Sequence, residues 1–101
     1  MEFYKDWDGQ LYRKDGDDYA SFKDEEWCTD GYAYGAFKGF ESGSYVDEKQ
    51  AVQCLVDDYG IDEQKAKELL VKKQLDRDES IAYMAKHRGY STKEAAKALG
   101  F

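Results

Sequence analysis

The second half of the chain carries a clear helical period. Val52, Leu55, Val56 and Tyr59 fall at i, i+3, i+4 and i+7, the spacing of one helix face. Ala66, Leu69 and Leu70 form a second apolar stripe, Ile81, Met84 and Ala85 a third, and Ala95 with Leu99 a fourth. Start signals precede the stripes. Asp47 lies three residues before Gln50 and Ser91 three before Glu94, the spacing of a capping box, while Asp62 and Asp78 are placed to cap the other two. Gly60, Gly89 and Gly100 follow the first, third and fourth stripes, where a left-handed helix end favours glycine. These signals predict helices over about 48–59, 63–74, 79–88 and 92–99. A shift of 29 residues superposes the two halves of this region. It pairs Val52 with Ile81, Leu55 with Met84, Gly60 with Gly89, Asp62 with Ser91, Ala66 with Ala95 and Leu70 with Leu99. The repeated unit is a helix, a tight glycine turn and a second helix.

The first 45 residues have a different texture. They hold 12 of the 16 aromatic side chains. Asp-Gly pairs stand at Asp8-Gly9, Asp15-Gly16 and Asp30-Gly31, and such pairs supply the positive φ that tight hairpin turns need. The segments between them predict short strands at Phe3–Trp7, Gln10–Lys14 and Asp18–Phe22, with a further extended stretch over Tyr32–Phe40. The expected fold is a single α+β domain over residues 1–101. A small N-terminal antiparallel β-meander packs on a C-terminal bundle of about four short helices.

Composition narrows the class. The chain has 101 residues, one domain's worth, with 37% charged and 42% apolar side chains and a mean hydropathy of −0.90. No run approaches the roughly 18 apolar residues of a membrane span, and the first residues, charged from Glu2 onward, are not expected to act as an apolar leader. Cys28 and Cys54 are the only cysteines, and the expectation is two reduced thiols in a cytoplasmic protein. The formal net charge is −7. Residues 1–45 hold 11 acidic and 5 basic side chains, whereas residues 72–101 hold 4 acidic and 7 basic. Net negative charge disfavours direct binding to phosphate backbones and makes a basic protein surface the expected partner.

No sequence pattern announces catalysis. Cys28, Cys54 and His87 lack the spacing of zinc ligands and of a thiol–imidazole pair. Asp6, Asp8 and Asp15 to Asp18 hint at calcium loops, but from Asp6 the fifth position is Gln10 and the sixth Leu11, so the pattern fails. The glycine-rich stretch from Gly31 to Gly43 fits neither phosphate-loop motif. The expectation is a protein that is not an enzyme and uses no metal or cofactor.

Two short stretches resemble known modules. Leu55, Tyr59-Gly60-Ile61, Ala66, Leu69, Leu70, Ile81 and Met84 resemble the pattern of ubiquitin-associated domains across residues 52–87. Tyr59 stands where that family usually has Met. The resemblance implies a three-helix core and, through Tyr59, Gly60, Ile61 and the third helix, an adaptor for a peptide or ubiquitin-like partner. Residues 90–101 resemble the first helix and turn of a helix-turn-helix reader, without the recognition helix that would enter a groove.

The strongest functional signal is diffuse. Asp15, Asp17, Asp18, Asp24, Glu25, Glu26 and Asp30 gather around Tyr19, Phe22 and Trp27. Acids at i, i+2 on a strand share a face about 6.8 Å apart, twice the roughly 3.4 Å phosphate rise of one DNA strand. Such a face fits a basic nucleic-acid channel, with Trp27 as an anchor. The expected function is non-catalytic. The chain reads as a small acidic inhibitor or regulator docking on a basic surface of a nucleic-acid-handling protein. Phage and mobile-element counter-defence proteins of the anti-CRISPR and antirestriction type share its short, acidic, motif-free character. On this reading, reversing Asp24, Glu25 and Glu26 to Lys abolishes binding.

Overall fold

A computed structural model describes residues 1–38 and 43–101. Strands β1 (Glu2–Asp6), β2 (Leu11–Asp15), β3 (Asp18–Lys23) and β4 (Glu26–Thr29) run as a meander. Helix α1 (Gly31–Phe37) follows, then β5 (Gly43–Val46) and four helices: α2 (Glu48–Asp57), α3 (Glu63–Leu70), α4 (Arg77–Arg88) and α5 (Thr92–Ala98). The sheet order is β4-β3-β2-β1-β5 with every neighbour antiparallel, so the fold class is α+β. Antiparallel order places the β1–β2 and β3–β4 turns at one end of the sheet and the β2–β3 turn at the other.

Side-chain alternation along the strands divides the core in two. Phe3, Leu11, Ala20, Phe22 and Trp27 pack with Ala51, Cys54 and Leu55 of α2 and with Ala66, Leu69 and Leu70 of α3. Tyr4, one residue from Phe3 and so on the opposite face, meets Ala36 and Phe37 of α1 together with Tyr12 and Tyr19. A third cluster joins Cys28 of β4 to Ile81, Met84, Ala95 and Leu99 of α4 and α5. The four C-terminal helices therefore form two hairpins with separate apolar clusters, and the sheet is the body that both lean on.

The repeat is visible in three dimensions. Both hairpins open on a capping box, Asp47 with Gln50 and Asp76 with Glu79, and these pairs are themselves 29 residues apart. Gly60 and Gly89 both take positive φ, and Ala66, Ala95, Leu70 and Leu99 are all buried. Each second helix ends on a carbonyl that takes a donor from the N-terminal half. The Arg13 guanidinium donates to the Leu70 carbonyl at 3.0 Å, and the Gly31 N–H donates to the Leu99 carbonyl at 2.7 Å. The second contact requires glycine, because a Cβ on Gly31 would lie 2.7 Å from the Gly100 carbonyl oxygen.

Several expectations are corrected. Tyr32 to Phe37 are helical rather than extended, while Phe40 lies outside the described residues. The physical reason is local. The Asp30 side chain accepts from the Tyr32 N–H as an N-cap, and Ala33, Ala36 and Phe37 form a buried i, i+3, i+4 stripe. The Asp30-Gly31 pair is thus a helix start and not a hairpin turn. Asp76 rather than Asp78 caps α4, since only Asp76 has a glutamate three residues on to close the capping box. Helix α3 stops at Leu70, four residues short of the expected end, where Arg13 occupies the carbonyl. Strands β4 and β5 complete the sheet beyond the three strands expected.

Candidate functional site

The acidic residues singled out in the sequence do not share one face. Asp15, Asp17 and Asp18 belong to the β2–β3 turn, whereas Asp24, Glu25 and Glu26 belong to the β3–β4 turn at the opposite end of the sheet. The second group is engaged within the molecule. Asp24 pairs with Arg88 of α4 at 2.9 Å, Glu25 with Lys65 of α3 at 2.5 Å, and Glu26 with Lys72, just after α3, at 2.6 Å. The Tyr83 hydroxyl also donates to the Asp24 carbonyl. The two-residue turn holds Asp24 at φ 49° and Glu25 at φ 69°, a left-handed conformation costly for side chains with a Cβ. This turn is a junction between sheet and both helical hairpins.

Trp27 and Asp30 are interior residues and present nothing to a partner. Trp27 is 0% exposed; its ring lies 5.1 Å from Phe22, and its Nε1–H donates to the Leu69 carbonyl at 2.8 Å. The Arg13 guanidinium stacks over the indole at 4.5 Å and donates to the Leu70 and Lys72 carbonyls. Burial pushes the Arg13 pKa down to about 10, and the charge is balanced by the carbonyl end of α3 rather than by a buried carboxylate. Asp30 accepts from the Ser21 hydroxyl at 2.6 Å, and burial raises its pKa.

The other tryptophan stands in contrast. Trp7 is 84% exposed, at the tip of the β1–β2 turn. The alternation that places Phe3 in the core would carry Trp7 to the same face, but the strand ends one residue earlier. Asp6 ends it: its Oδ1 accepts from the N–H groups of Asp8 at 3.0 Å and Gln10 at 2.9 Å. The Gly9 N–H donates to the Asp6 carbonyl, and Gly9 takes φ 86°, which glycine alone adopts without strain. The Tyr59 hydroxyl donates to the Gly9 carbonyl at 3.1 Å and accepts from the Leu11 N–H at 3.3 Å. The turn is therefore fixed from inside by Asp6 and from below by Tyr59, while its indole stands in solvent.

An open groove of about 930 Å³ runs beside this turn. Four carboxylates, Asp6, Asp8, Asp57 and Asp58, and two ammonium groups, Lys5 and Lys23, line it together with Trp7. Both ammonium groups have partners. Lys5 pairs with Asp58 at 2.6 Å, a hydrogen bond that raises the lysine pKa and lowers that of the carboxyl. Lys23 donates to Gln10 at 2.7 Å, and burial lowers its pKa. The Asp8 carboxylate has no partner among the described residues.

The remaining sequence candidates make contacts within the molecule. Tyr59 and Ile61 are half-buried against the sheet-side core, so the loop resembling a ubiquitin-associated module faces Phe22 and the β1–β2 turn. Cys28 and Cys54 sit in separate apolar clusters, and burial pushes their thiols up to about 11 and about 12, far from a reactive thiolate. His87 stacks on Tyr83 with ring centroids 4.1 Å apart. Among the described residues no group of three or more His, Cys, Asp or Glu is placed to hold a metal ion, and no helix is long and apolar enough to cross a membrane.

No protein-family model matches the sequence, and no significant match arises among curated proteins or solved structures. The functional reading therefore rests on the surface itself. Sequence reasoning passed over Trp7 by taking it as the end of a strand. The available signal was Asp6 followed two residues later by Asp8-Gly9, a pattern that stops a strand and turns it.

Proposed function

We propose that this chain is a non-catalytic binding protein, a small acidic inhibitor or regulator that docks on a basic surface of a nucleic-acid-handling protein. Counter-defence proteins of phages and mobile elements, of the anti-CRISPR and antirestriction type, share its short, acidic, motif-free character. The observation that supports it best is the exposed Trp7 on a pre-set turn beside carboxylates. Burying an indole is worth on the order of a few kcal/mol, so an indole left in water is surface stability forgone by the free protein and recovered on docking. Tryptophan is the side chain most enriched among binding hot spots, and a turn already held rigid loses little entropy when it docks. The net charge of −7 repels nucleic acid and steers the chain toward positive surfaces.

The test is affinity capture on the immobilised chain from a lysate of its source cells, washed at low and then high salt. A nucleic-acid enzyme held at low salt, released at high salt and displaced by double-stranded DNA is the expected result. The same enzyme should pass over immobilised Trp7→Ser. A partner that survives high salt and is captured equally by Trp7→Ser contradicts the reading.

A further inference from the structure

We propose that the groove beside Trp7 receives an arginine side chain from the basic partner; the inference rests on the docking reading above and names its recognition chemistry. Three independent features meet in this groove. The first is the exposed indole, whose ring face attracts a cation.

The second is the end of helix α2. A helix C-terminus carries partial negative charge, and cations normally gather there. The last turn of α2 has no basic residue, and the helix closes on Asp57 with Asp58 as its C-cap. Two carboxylates at the negative pole of a ten-residue helix destabilise it. Lys5 of β1 compensates Asp58. Among the described residues Asp57 has only a hydrogen bond from the Gln53 side chain at 2.9 Å, and no cation answers it. The third feature is the unpaired carboxylate of Asp8, next in the chain to the exposed indole.

Acids at the wrong end of a helix are a defect in the free protein and an asset when a cation arrives. A guanidinium answers all three features at once. It stacks on the indole with one face, and its fork of N–H donors pairs with carboxylates in two directions. It is also more weakly hydrated than an ammonium, so it enters a partly walled groove at lower cost. A lysine offers the charge without the plane or the fork. A phosphate or nucleic acid is repelled by four carboxylates against two partnered ammonium groups. The orientation also follows. The indole lies at the tip of the β1–β2 turn, so the arginine approaches over that turn.

The experiment is an NMR titration of the isotopically labelled full chain with two blocked peptides, Gly-Arg-Gly-Arg-Gly and Gly-Lys-Gly-Lys-Gly. The arginine peptide should shift the Trp7 indole N–H and the backbone amides of Asp8, Gly9, Asp57 and Asp58. It should bind at least about threefold more tightly than the lysine peptide, the scale of a stacked cation. Asp57→Asn separates binding from structure: it should raise the melting temperature, by relieving the helix end, and yet weaken the arginine peptide by about threefold, which a merely structural role would not do. Equal affinity for the two peptides overturns the arginine assignment and leaves the basic-surface reading standing. Shifts centred on Asp15, Asp17 and Asp18 overturn the groove and relocate the docking site. No saturable shift with either peptide also overturns the inference, and the basic-surface reading is then decided by the capture experiment alone.

Discussion

The two turns at one end of the sheet are built from the same materials and put them to opposite uses. The β3–β4 turn carries Asp24, Glu25 and Glu26 beside Trp27; the β1–β2 turn carries Asp6 and Asp8 around Trp7. At the first, every carboxylate meets a cation from the helical half of the chain and the tryptophan is enclosed. At the second, Asp6 is spent on shaping the turn, Asp8 is unpaired, and the tryptophan is exposed. Density of acids and aromatics therefore does not by itself mark a binding surface. Docking is proposed instead where groups remain unsatisfied after folding.

The sharpest way to separate the two turns is to remove each indole. Trp27→Ala should cost about 3–5 kcal/mol by chemical denaturation, because it leaves a cavity, removes one of the donors on the Leu69 carbonyl and leaves a buried Arg13 without its ring. Trp7→Ser should change stability by less than about 0.5 kcal/mol. A large cost at Trp7 would show that the indole is part of the core and not an anchor.

Neutralising the engaged acids should have an intermediate effect. The triple variant Asp24→Asn, Glu25→Gln, Glu26→Gln removes three ion pairs, two well exposed and the Glu26 pair partly so, all screened by solvent, and should cost about 1–2 kcal/mol at low salt. The loss should shrink as salt rises. An undiminished loss at high salt would mean that the carboxylates act through something other than charge.

Glu25→Gly tests the strain in the same turn. Glycine relieves the left-handed backbone at φ 69°, worth about 1–2 kcal/mol, and gives up one screened pair with Lys65. The net should be a gain of about 0.5 kcal/mol, measured as a raised denaturation midpoint.

The smallest effect concerns pH and Asp30. Burial raises its folded pKa above the unfolded value of 3.8, so the folded chain binds the proton more tightly. The corresponding stability is fully present below pH 3.8 and is lost as pH rises through the raised folded pKa. Asp30→Asn, which keeps the cap oxygen on the Tyr32 N–H, should flatten that part of the stability profile. A profile that keeps its slope in the variant would assign the titration to another group.

The helical half was legible because its signals are local. Apolar stripes, caps and glycine turns lie within a few residues of one another, and the 29-residue shift repeats them in order. The first two hairpin turns were legible for the same reason, through Asp8-Gly9 and Asp15-Gly16. The third was not, because Asp24 and Glu25 adopt positive φ without a glycine to announce it, and β4 was lost with it. Helix α1 was hidden by its aromatics and glycines, which read as extended until the sheet supplied a surface for Ala33, Ala36 and Phe37. The acidic cluster was visible in the sequence, but its fate was not. Its cations lie far along the chain, Lys72 at a separation of 46 residues and Arg88 at 64.

The central claim is that docking belongs to the Trp7 turn and not to the acidic β3–β4 turn. The direct measurement is the arginine-peptide titration repeated on Trp7→Ser and on the triple variant of Asp24, Glu25 and Glu26. The account predicts that Trp7→Ser loses saturable binding, while the triple variant binds within about threefold of the parent despite its lower stability. Binding that survives in Trp7→Ser and disappears in the triple variant would contradict it and return the interface to the acidic turn.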